Sequence, residues 1–415
     1  MDITGFYKLN IDERLSLLKK HRNLSDEEAL LLKNSGALSL DIANRMIENV
    51  IGAMHLPLAV ATHFKINGKE MLVPMAIEEP SVVAGACKAA KLTLPEGFTA
   101  KSDEPIMIGQ VQIVNIKDGK EALSSFEKHK KEIFEIARGY AKQMEQYGGG
   151  LRDISAKIIR SKRGDMLVAY FDVDVRDSMG ANTVNTILEG VAPSIASYVG
   201  GKPCLRIISN LAVKRKSYAQ AVWKRNVIGE DGVEGILDAY ELAKNDIYRC
   251  VTHNKGIMNG IDAVALASGQ DWRAIEAGAH AYASLDGYHP LTHYEKTKDG
   301  DLLGKIELPL AVGTVGGAIN TSPTAKLALK VLGAQSWRDL AVAMTCVGLA
   351  NNFAALYALS TTGIQAGHMK LHARNIAVLA GAKTPEEIDE VAQELANKKD
   401  FSLDLAKQVL KKIKE

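Results

Sequence analysis

The sequence predicts an α+β protein in which helix-rich stretches flank a central segment of alternating strands and helices. Residues 110–213 read in the order β-α-β-β-α-β, the ferredoxin-like unit. On either side, apolar residues recur with helical spacing over runs longer than a strand needs. A chain of 415 residues also has room for two or three domains.

The first 50 residues read as helices, with Ser25 and Glu28 as a capping box and Gly36 as a helix stop. Leu58–Ile66 and Glu70–Met75 alternate as strands around the hairpin signal Asn67-Gly68. Ala86–Leu92 is a small-sided helix suited to close packing. Gln110–Lys117 is a strand turned by Asp118-Gly119, and Glu121–Gln146 follows as one long polar helix. Arg152–Arg160 and Met166–Val175 are strands joined by a turn at Lys162–Asp165. Asn182–Val199 is a helix, and Cys204–Val213 is the closing strand. Gly232–Lys244, Lys255–Ala267, Trp272–Ala283 and Thr324–Leu332 then read as helices. Leu340–Met369 carries no Asp, Glu, Lys or Arg. A membrane helix needs about 20 predominantly apolar residues. Asn351 and Asn352 interrupt this stretch, and its many small residues favour a buried core helix. From Gly381 onward the chain is Lys- and Glu-rich, a lightly anchored helical tail that starts again at Thr384-Pro385-Glu386-Glu387.

Composition narrows the function classes. Fifty-one basic and 49 acidic residues leave a net charge of +2, so no field draws the chain to nucleic acid. Cys87, Cys204, Cys250 and Cys346 form no C-x-x-C pair, which points to a reducing compartment rather than a disulfide frame or zinc site. The N-terminus is charged too early for a secretory signal, so a cytoplasmic protein is expected.

Several constellations carry candidate chemistry. Glu78-Glu79-Pro80-Ser81 places two carboxylates at a helix start. Burial and a neighbouring carboxylate raise such a pKa and the helix dipole lowers it, so a protonated Glu79 and an ordinary capping acid both remain open. Asp177-Ser178-Met179-Gly180-Ala181-Asn182 joins a strand to a helix. Gly180 permits close backbone approach, and free N–H groups there suit a pyrophosphate; a plain tight turn is the alternative. The pattern is not G-x-G-x-x-G, so a Rossmann domain is not supported. Gly148-Gly149-Gly150 is a helix stop or a second nucleotide approach. Lys255, in His253–Gly260, stands among small residues and amides where a buried lysine would stabilise an oxyanion. Asp271 after Gly269-Gln270 would lie near Lys255 only if the fold brings it back, and is otherwise an ordinary helix cap. His368 and His372 share a helix face, as would His289 and His293 were that segment helical, but neither pair has the Glu of H-E-x-x-H. No metal is expected, and His368 is a candidate general acid.

These segments together resemble class II, the soluble prokaryotic type of 3-hydroxy-3-methylglutaryl-coenzyme A reductase, from Phe6 to the tail. The motifs are Glu48–Gly52, Glu78–Ser81, Asp177–Asn182, His253–Gly260, Gly269–Ala274 and Gly367–Asn375, in family order. The resemblance implies a large mixed helix/sheet domain for CoA and substrate, built from residues 1–108 and 214–376. It implies an inserted ferredoxin-like NAD(P)-binding domain at 109–213 and a mobile C-terminal flap at 377–415. It implies Glu79, Lys255, Asp271 and His368 as catalytic residues, with Ser81, Asn210, Arg249 and Asn259 near the hydroxy-acid end. Asp177, Met179, Gly180, Ala181, Asn182 and Gly149 would meet the cofactor. It also implies a homodimer with active sites between subunits and Glu48–Gly52 contributed across the interface, with trimers of dimers beyond that. Two successive NADPH or NADH hydrides would convert the thioester to mevalonate and free CoA for isoprenoid biosynthesis; the same site running oxidatively would degrade mevalonate.

The chain departs from the NADH-dependent pattern where an acid is expected near Ala141 to hold the adenosine ribose. Ala141 followed by Lys142 removes repulsion toward a 2′-phosphate, so NADPH acceptance is expected. The N-terminal CoA-contacting arginine of some relatives is missing, with Lys8 as a stand-in. A CoA-linked aldehyde dehydrogenase would need a nucleophilic cysteine, and none of the four has a recognisable context. A non-catalytic nucleotide binder would not need Glu79, Lys255, Asp271 and His368 together.

Overall fold

The computed structural model describes residues 5–34, 38–361 and 363–414, and the side chains of these except at 318 and 364–371. Three short helices open the chain: α1 (Ile11–Arg22), α2 (Asp26–Lys33) and α3 (Leu40–Met46). The Ser25–Glu28 capping box forms, with bonds of 3.1 and 2.7 Å. The expected stop at Gly36 lies outside the described residues. Strands β1 (Leu58–Ile66) and β2 (Lys69–Ala76) pair antiparallel. Their turn has positive φ at both Asn67 and Gly68, as a tight twisted hairpin requires. Helix α4 (Pro80–Lys91) and strand β3 (Phe98–Ser102) follow.

The middle of the chain forms its own layer. It comprises β4 (Ile106–Val114), α5 (Gly119–Lys128), α6 (Lys130–Glu145), β5 (Gly150–Ile159), β6 (Met166–Asp174), α7 (Ala181–Val199) and β7 (Lys202–Ile208). Its four strands lie in the order β5-β6-β4-β7, every pair antiparallel. The expected long helix is broken at His129, and Asp118 is not part of a turn but the cap of α5, accepting from Glu121 N–H at 2.9 Å. The closing strand begins at Lys202 because Gly200 and Gly201 supply the positive-φ turn there. The helices bury a small core that includes Phe126, Ile133, Ala137, Phe171 and Leu188.

The chain then returns through β8 (Lys216–Trp223), α8 (Arg225–Ile228), α9 (Glu230–Asn245), α10 (Ile247–Ala267), α11 (Trp272–Ala283), β9 (Thr292–Lys296) and β10 (Leu302–Pro309). Helices α12 (Pro323–Leu332), α13 (Trp337–Ser360), α14 (Ile364–Leu379), α15 (Pro385–Lys398) and α16 (Leu403–Lys414) complete it. The second sheet has the order β2-β1-β3-β8-β10-β9. Four of its strands, β3, β8, β9 and β10, have no counterpart in the sequence reading. His293 lies on β9, so the supposed helical pair with His289 does not exist.

Helix α13 packs against this sheet, and Trp223 stacks on Phe353 with centroids 4.0 Å apart. Among the described residues α13 is the one helix long and apolar enough to cross a membrane, and most of it is buried inside the fold. The asparagines within it are anchors. Asn351 donates to the Val82 carbonyl of α4 at 2.9 Å. Asn352 accepts from Thr292 Oγ1 at 3.1 Å and Tyr294 Oη at 2.9 Å. Its amide also donates to the His253 carbonyl of α10 at 3.3 Å. A Cβ at Gly260 would lie 2.3 Å from Asn351 Oδ1, so α10 and α13 touch backbone to side chain. The tail has a separate small core of Ala373, Ala377, Val391, Leu395, Ala406 and Val409. The expected boundaries at 108/109 and 376/377 fall inside β4 and α14.

Candidate active site

Glu79 is the N-cap of α4, where the preceding strand and Pro80 set the helix start. Its Oε1 accepts from Ser81 Oγ at 2.9 Å, so these two expected site residues meet. A third group joins them: His372 Nε2 of α14 lies 3.5 Å from Glu79 Oε1. The sequence had paired His372 with His368 on one helix face without assigning it a role. His368 lies one turn earlier on α14, and its side chain is outside the described residues.

Lys255 does not start its helix. Asp246 caps α10, accepting from Arg249 N–H at 2.7 Å, and Lys255 sits in its third turn. It is also exposed in the single chain rather than buried. The reason is periodicity: Cys250, His253, Asn254, Ile257 and Ile261 turn one face of α10 inward. The opposite face carries Tyr248, Val251, Lys255, Asn259 and Asp262. Beside Lys255, Asn254 donates to the His289 carbonyl and accepts from Leu291 N–H, both at 2.9 Å. His253 Nε2 lies 2.6 Å from Thr292 Oγ1, and burial near Arg249 holds its pKa down at about 3, so the ring is neutral. These bonds fix the rotation of α10 from within. Arg249 is half-buried on the same helix, and burial lowers its pKa.

Asp271 caps α11, accepting from Ala274 N–H at 3.1 Å, and pairs with Arg273 at 3.1 Å. Asn210 is exposed, and its carbonyl rests against α11, where a Cβ at Gly278 would approach to 2.6 Å. One acid pair lay beyond the sequence reading. Asp262 of α10 and Glu276 of α11 share a hydrogen bond, and His280 lies 2.8 Å from Glu276. Burial and Glu276 push Asp262 up to about 8, while the bond to His280 keeps Glu276 low. The folded state therefore holds a proton on Asp262 that the unfolded chain releases near its ordinary pKa. That stability is present at acid pH and declines as pH rises toward 8. We expect Asp262→Asn to flatten this decline, checked by melting temperatures from pH 6 to 9. An unchanged profile would sink the assignment.

The loop from Asp177 to Asn182 joins β6 to α7 as expected. Gly180 has φ +101, a Cβ there would lie 2.6 Å from Val175, and no side chain caps the first N–H groups of α7. The half-buried Met179 and Ala181 and the exposed Asn182 surround that open helix start. A pyrophosphate fits such a start without displacing a cap. Asp177 instead anchors a distant helix, since its Oδ1 accepts from Trp337 N–H at 2.9 Å where α13 begins. Gly149 is a close-packing residue, since a Cβ would lie 2.6 Å from the Asp174 carbonyl. Buried Asp174 pairs with Arg152 at 2.7 Å and Arg176 at 3.4 Å, and Arg176 also donates to the Gly148 carbonyl. The glycine triplet and the loop are thereby locked side by side.

Ala141 requires a correction. Ile133, Ala137 and Ala141 recur every fourth residue of α6 and face the core, leaving Ala141 1% exposed. Its side chain cannot present to a ribose, whereas Lys142 is exposed. An acid beside the triplet is Glu145, bound to Arg138 at 2.7 Å, with its Cγ 2.9 Å from where a Gly150 Cβ would stand.

A family model described as hydroxymethylglutaryl-coenzyme A reductase matches residues 10–373. A 3-hydroxy-3-methylglutaryl-coenzyme A reductase of Archaeoglobus fulgidus is 50% identical, over 99% of this chain and 94% of its own length. A probable reductase of the same name from Borreliella burgdorferi is 37% identical, over 90% of this chain and 88% of its own length. The solved Streptococcus pneumoniae reductase superposes with a TM-score of 0.84 at 39% identity, covering 100% of both chains. Another structure from that organism, of the class II enzyme bound to NADPH in open conformations, gives 0.82 at 39% identity, covering 98% of this chain and 100% of that one. With matches spanning nearly its full length in sequence and in fold, the chain belongs to the hydroxymethylglutaryl-coenzyme A reductase family, in its class II branch.

Proposed function

We propose that the protein reduces 3-hydroxy-3-methylglutaryl-CoA to mevalonate and free CoA with two equivalents of NAD(P)H, a step of isoprenoid biosynthesis. The observation that carries this is the anchoring of two helices on α13: α4, capped by Glu79, through Asn351, and α10, bearing Lys255, through Asn352. NAD(P)H supplies the hydrides when bound, held at the α7 start by Met179, Gly180, Ala181 and Asn182. Lys255 stabilises the oxyanion that forms on the carbonyl oxygen of the thioester and again on that of mevaldehyde. Glu79, oriented by Ser81, delivers a proton to the second alkoxide, with Asp271 as the further acid of the catalytic set. His368 protonates the departing CoA thiolate. Asn210, Arg249 and Asn259 hold the hydroxy-acid end.

In this reading residues 109–213 are an inserted ferredoxin-like NAD(P)-binding domain, and 377–415 form a flap that brings α14 over Glu79. The contact of His372 with Glu79 supports that closure. The enzyme works in the cytoplasm as a homodimer with Glu48–Gly52 reaching the partner. Residues 51–57 are exposed and without regular structure, Ile51 at 102% and Met54 at 88%, which supports a partner covering them. With Ala141 buried, NADPH acceptance rests on exposed Lys142 and on the NADPH-bound relative.

The test is thioester-dependent oxidation of NADH and NADPH, measured in parallel by absorbance. Turnover with NADPH is expected, and absence of turnover with both cofactors would overturn the function. His368→Gln is expected to lose on the order of 10²–10⁴-fold in thioester reduction yet spare reduction of free mevaldehyde. Equal losses in both would remove His368 from the thiolate step.

A further inference from the structure

A short segment, Val312–Val315, lies between the two halves of the proposed site. On one side it meets the cofactor loop: Thr314 and Val315 N–H donate to the Asp177 carbonyl at 2.8 and 3.3 Å, and Ser178 bridges Val315 in parallel register. The approach is backbone on backbone. A Cβ at Gly313 would stand 2.7 Å from both Asp177 O and Met179 N. On the other side it meets the residue before Asp271. Gln270 Oε1 accepts from Gly313 N–H and Gln270 Nε2 donates to Gly313 O, each at 2.9 Å. Gln270 Nε2 also donates to the Ser268 carbonyl at 2.9 Å. One more group spans the joint. Fully buried Arg215 donates to the Ser178 and Val312 carbonyls, with its guanidinium 4.8 Å from the Trp337 ring centroid.

A glutamine that binds both backbone groups of a single glycine reads position, not charge. Its neighbour in sequence is the proposed catalytic acid, and the glycine's other face touches the turn that would hold the cofactor. We propose that Gln270 is a positioning residue, coupling Asp271 through Gly313 to the cofactor loop so that hydride donor and acid keep a fixed relation. Gly313 is the contact that only a residue without a side chain can make, and Arg215 clamps the same joint from beneath. This deepens the proposed function and rests on its reading of Asp271 and of residues 177–182.

The experiment compares Gln270→Met, which keeps length but loses both bonds to Gly313, with Gly313→Ala and Asp271→Asn in the full-length enzyme. For Gln270→Met the expected result is a raised KM for NADPH and a kcat lowered on the order of 10- to 100-fold, with the KM for the thioester unchanged. Gly313→Ala is expected to show the same split, and Gln270→Glu, which keeps the bond from Gly313 N–H, to fall between. Melting temperatures accompany each. If Gln270→Met and Gly313→Ala lower only the melting temperature and leave the constants at wild type, the residues are structural and the proposal falls. An equal rise in both KM values also overturns it. Should Asp271→Asn keep full activity, the reading of the acid fails instead, whatever Gln270→Met shows.

Discussion

Lys255→Ala is expected to lose turnover in both hydride steps, on the order of 10²–10³-fold for removal of one oxyanion donor, while melting at the wild-type temperature. The second half follows from its position. Lys255 is exposed in the third turn of α10, on the face opposite Cys250, Ile257 and Ile261, so its truncation removes no core contact. Surface changes of this kind usually stay within about 0.5 kcal/mol. The first half follows from the chemistry, since each hydride step places negative charge on the former carbonyl oxygen. Separate assays with the thioester and with free mevaldehyde check it. A variant that reduced mevaldehyde at the wild-type rate would exclude the oxyanion role in the second step.

Asn352→Leu is expected to destabilise the folded chain by roughly 2–4 kcal/mol, because buried polar partners would be stranded. Asn352 Oδ1 is a hydrogen-bond acceptor for Tyr294 Oη, and that ring is 3% exposed. Burial keeps the Tyr294 hydroxyl protonated, so it still needs an acceptor. Thr292 loses one partner but keeps His253, and the His253 carbonyl loses its amide donor. The affected residues lie on β9 and on the turn of α10 just before Lys255, so activity should fall along with stability. Denaturant unfolding gives the first quantity. A loss below about 0.5 kcal/mol would mean that the network re-forms without the amide.

The same asparagines mark where sequence reasoning ran short. Within an uncharged stretch they read as interruptions, yet they join that helix to α4, α10 and β9. Hairpin and capping signals were legible because their causes are local: Asn67-Gly68 and Ser25–Glu28 need only their neighbours. Strand β8 was not legible, because it gains its place from β3 and β10, both distant in sequence. The motifs with Glu79, Lys255 and Asp271 were likewise visible, but their surroundings were not. Helical phase, which buries Ala141 and exposes Lys255, depends on which face meets the core. Gln270 stood inside a recognised motif, but its partner Gly313 lies in a segment with no pattern of its own.

On the ribosome, β3 emerges more than a hundred residues before β8, the strand it must pair with. At synthesis rates of roughly 5–20 residues per second, the wait is roughly 6–23 s. Strands β4 to β7 find all their partners within that interval, so the middle unit can form while the larger sheet still has an open edge. Once formed, it delivers Lys216 beside Asp103, where the Asp103 N–H donates to the Lys216 carbonyl at 2.8 Å, and Ser217 beside Ser102 at 2.8 Å. A long-range strand pairing thus becomes, for the nascent chain, a local one, and slowing the middle unit's folding should delay the whole enzyme's maturation.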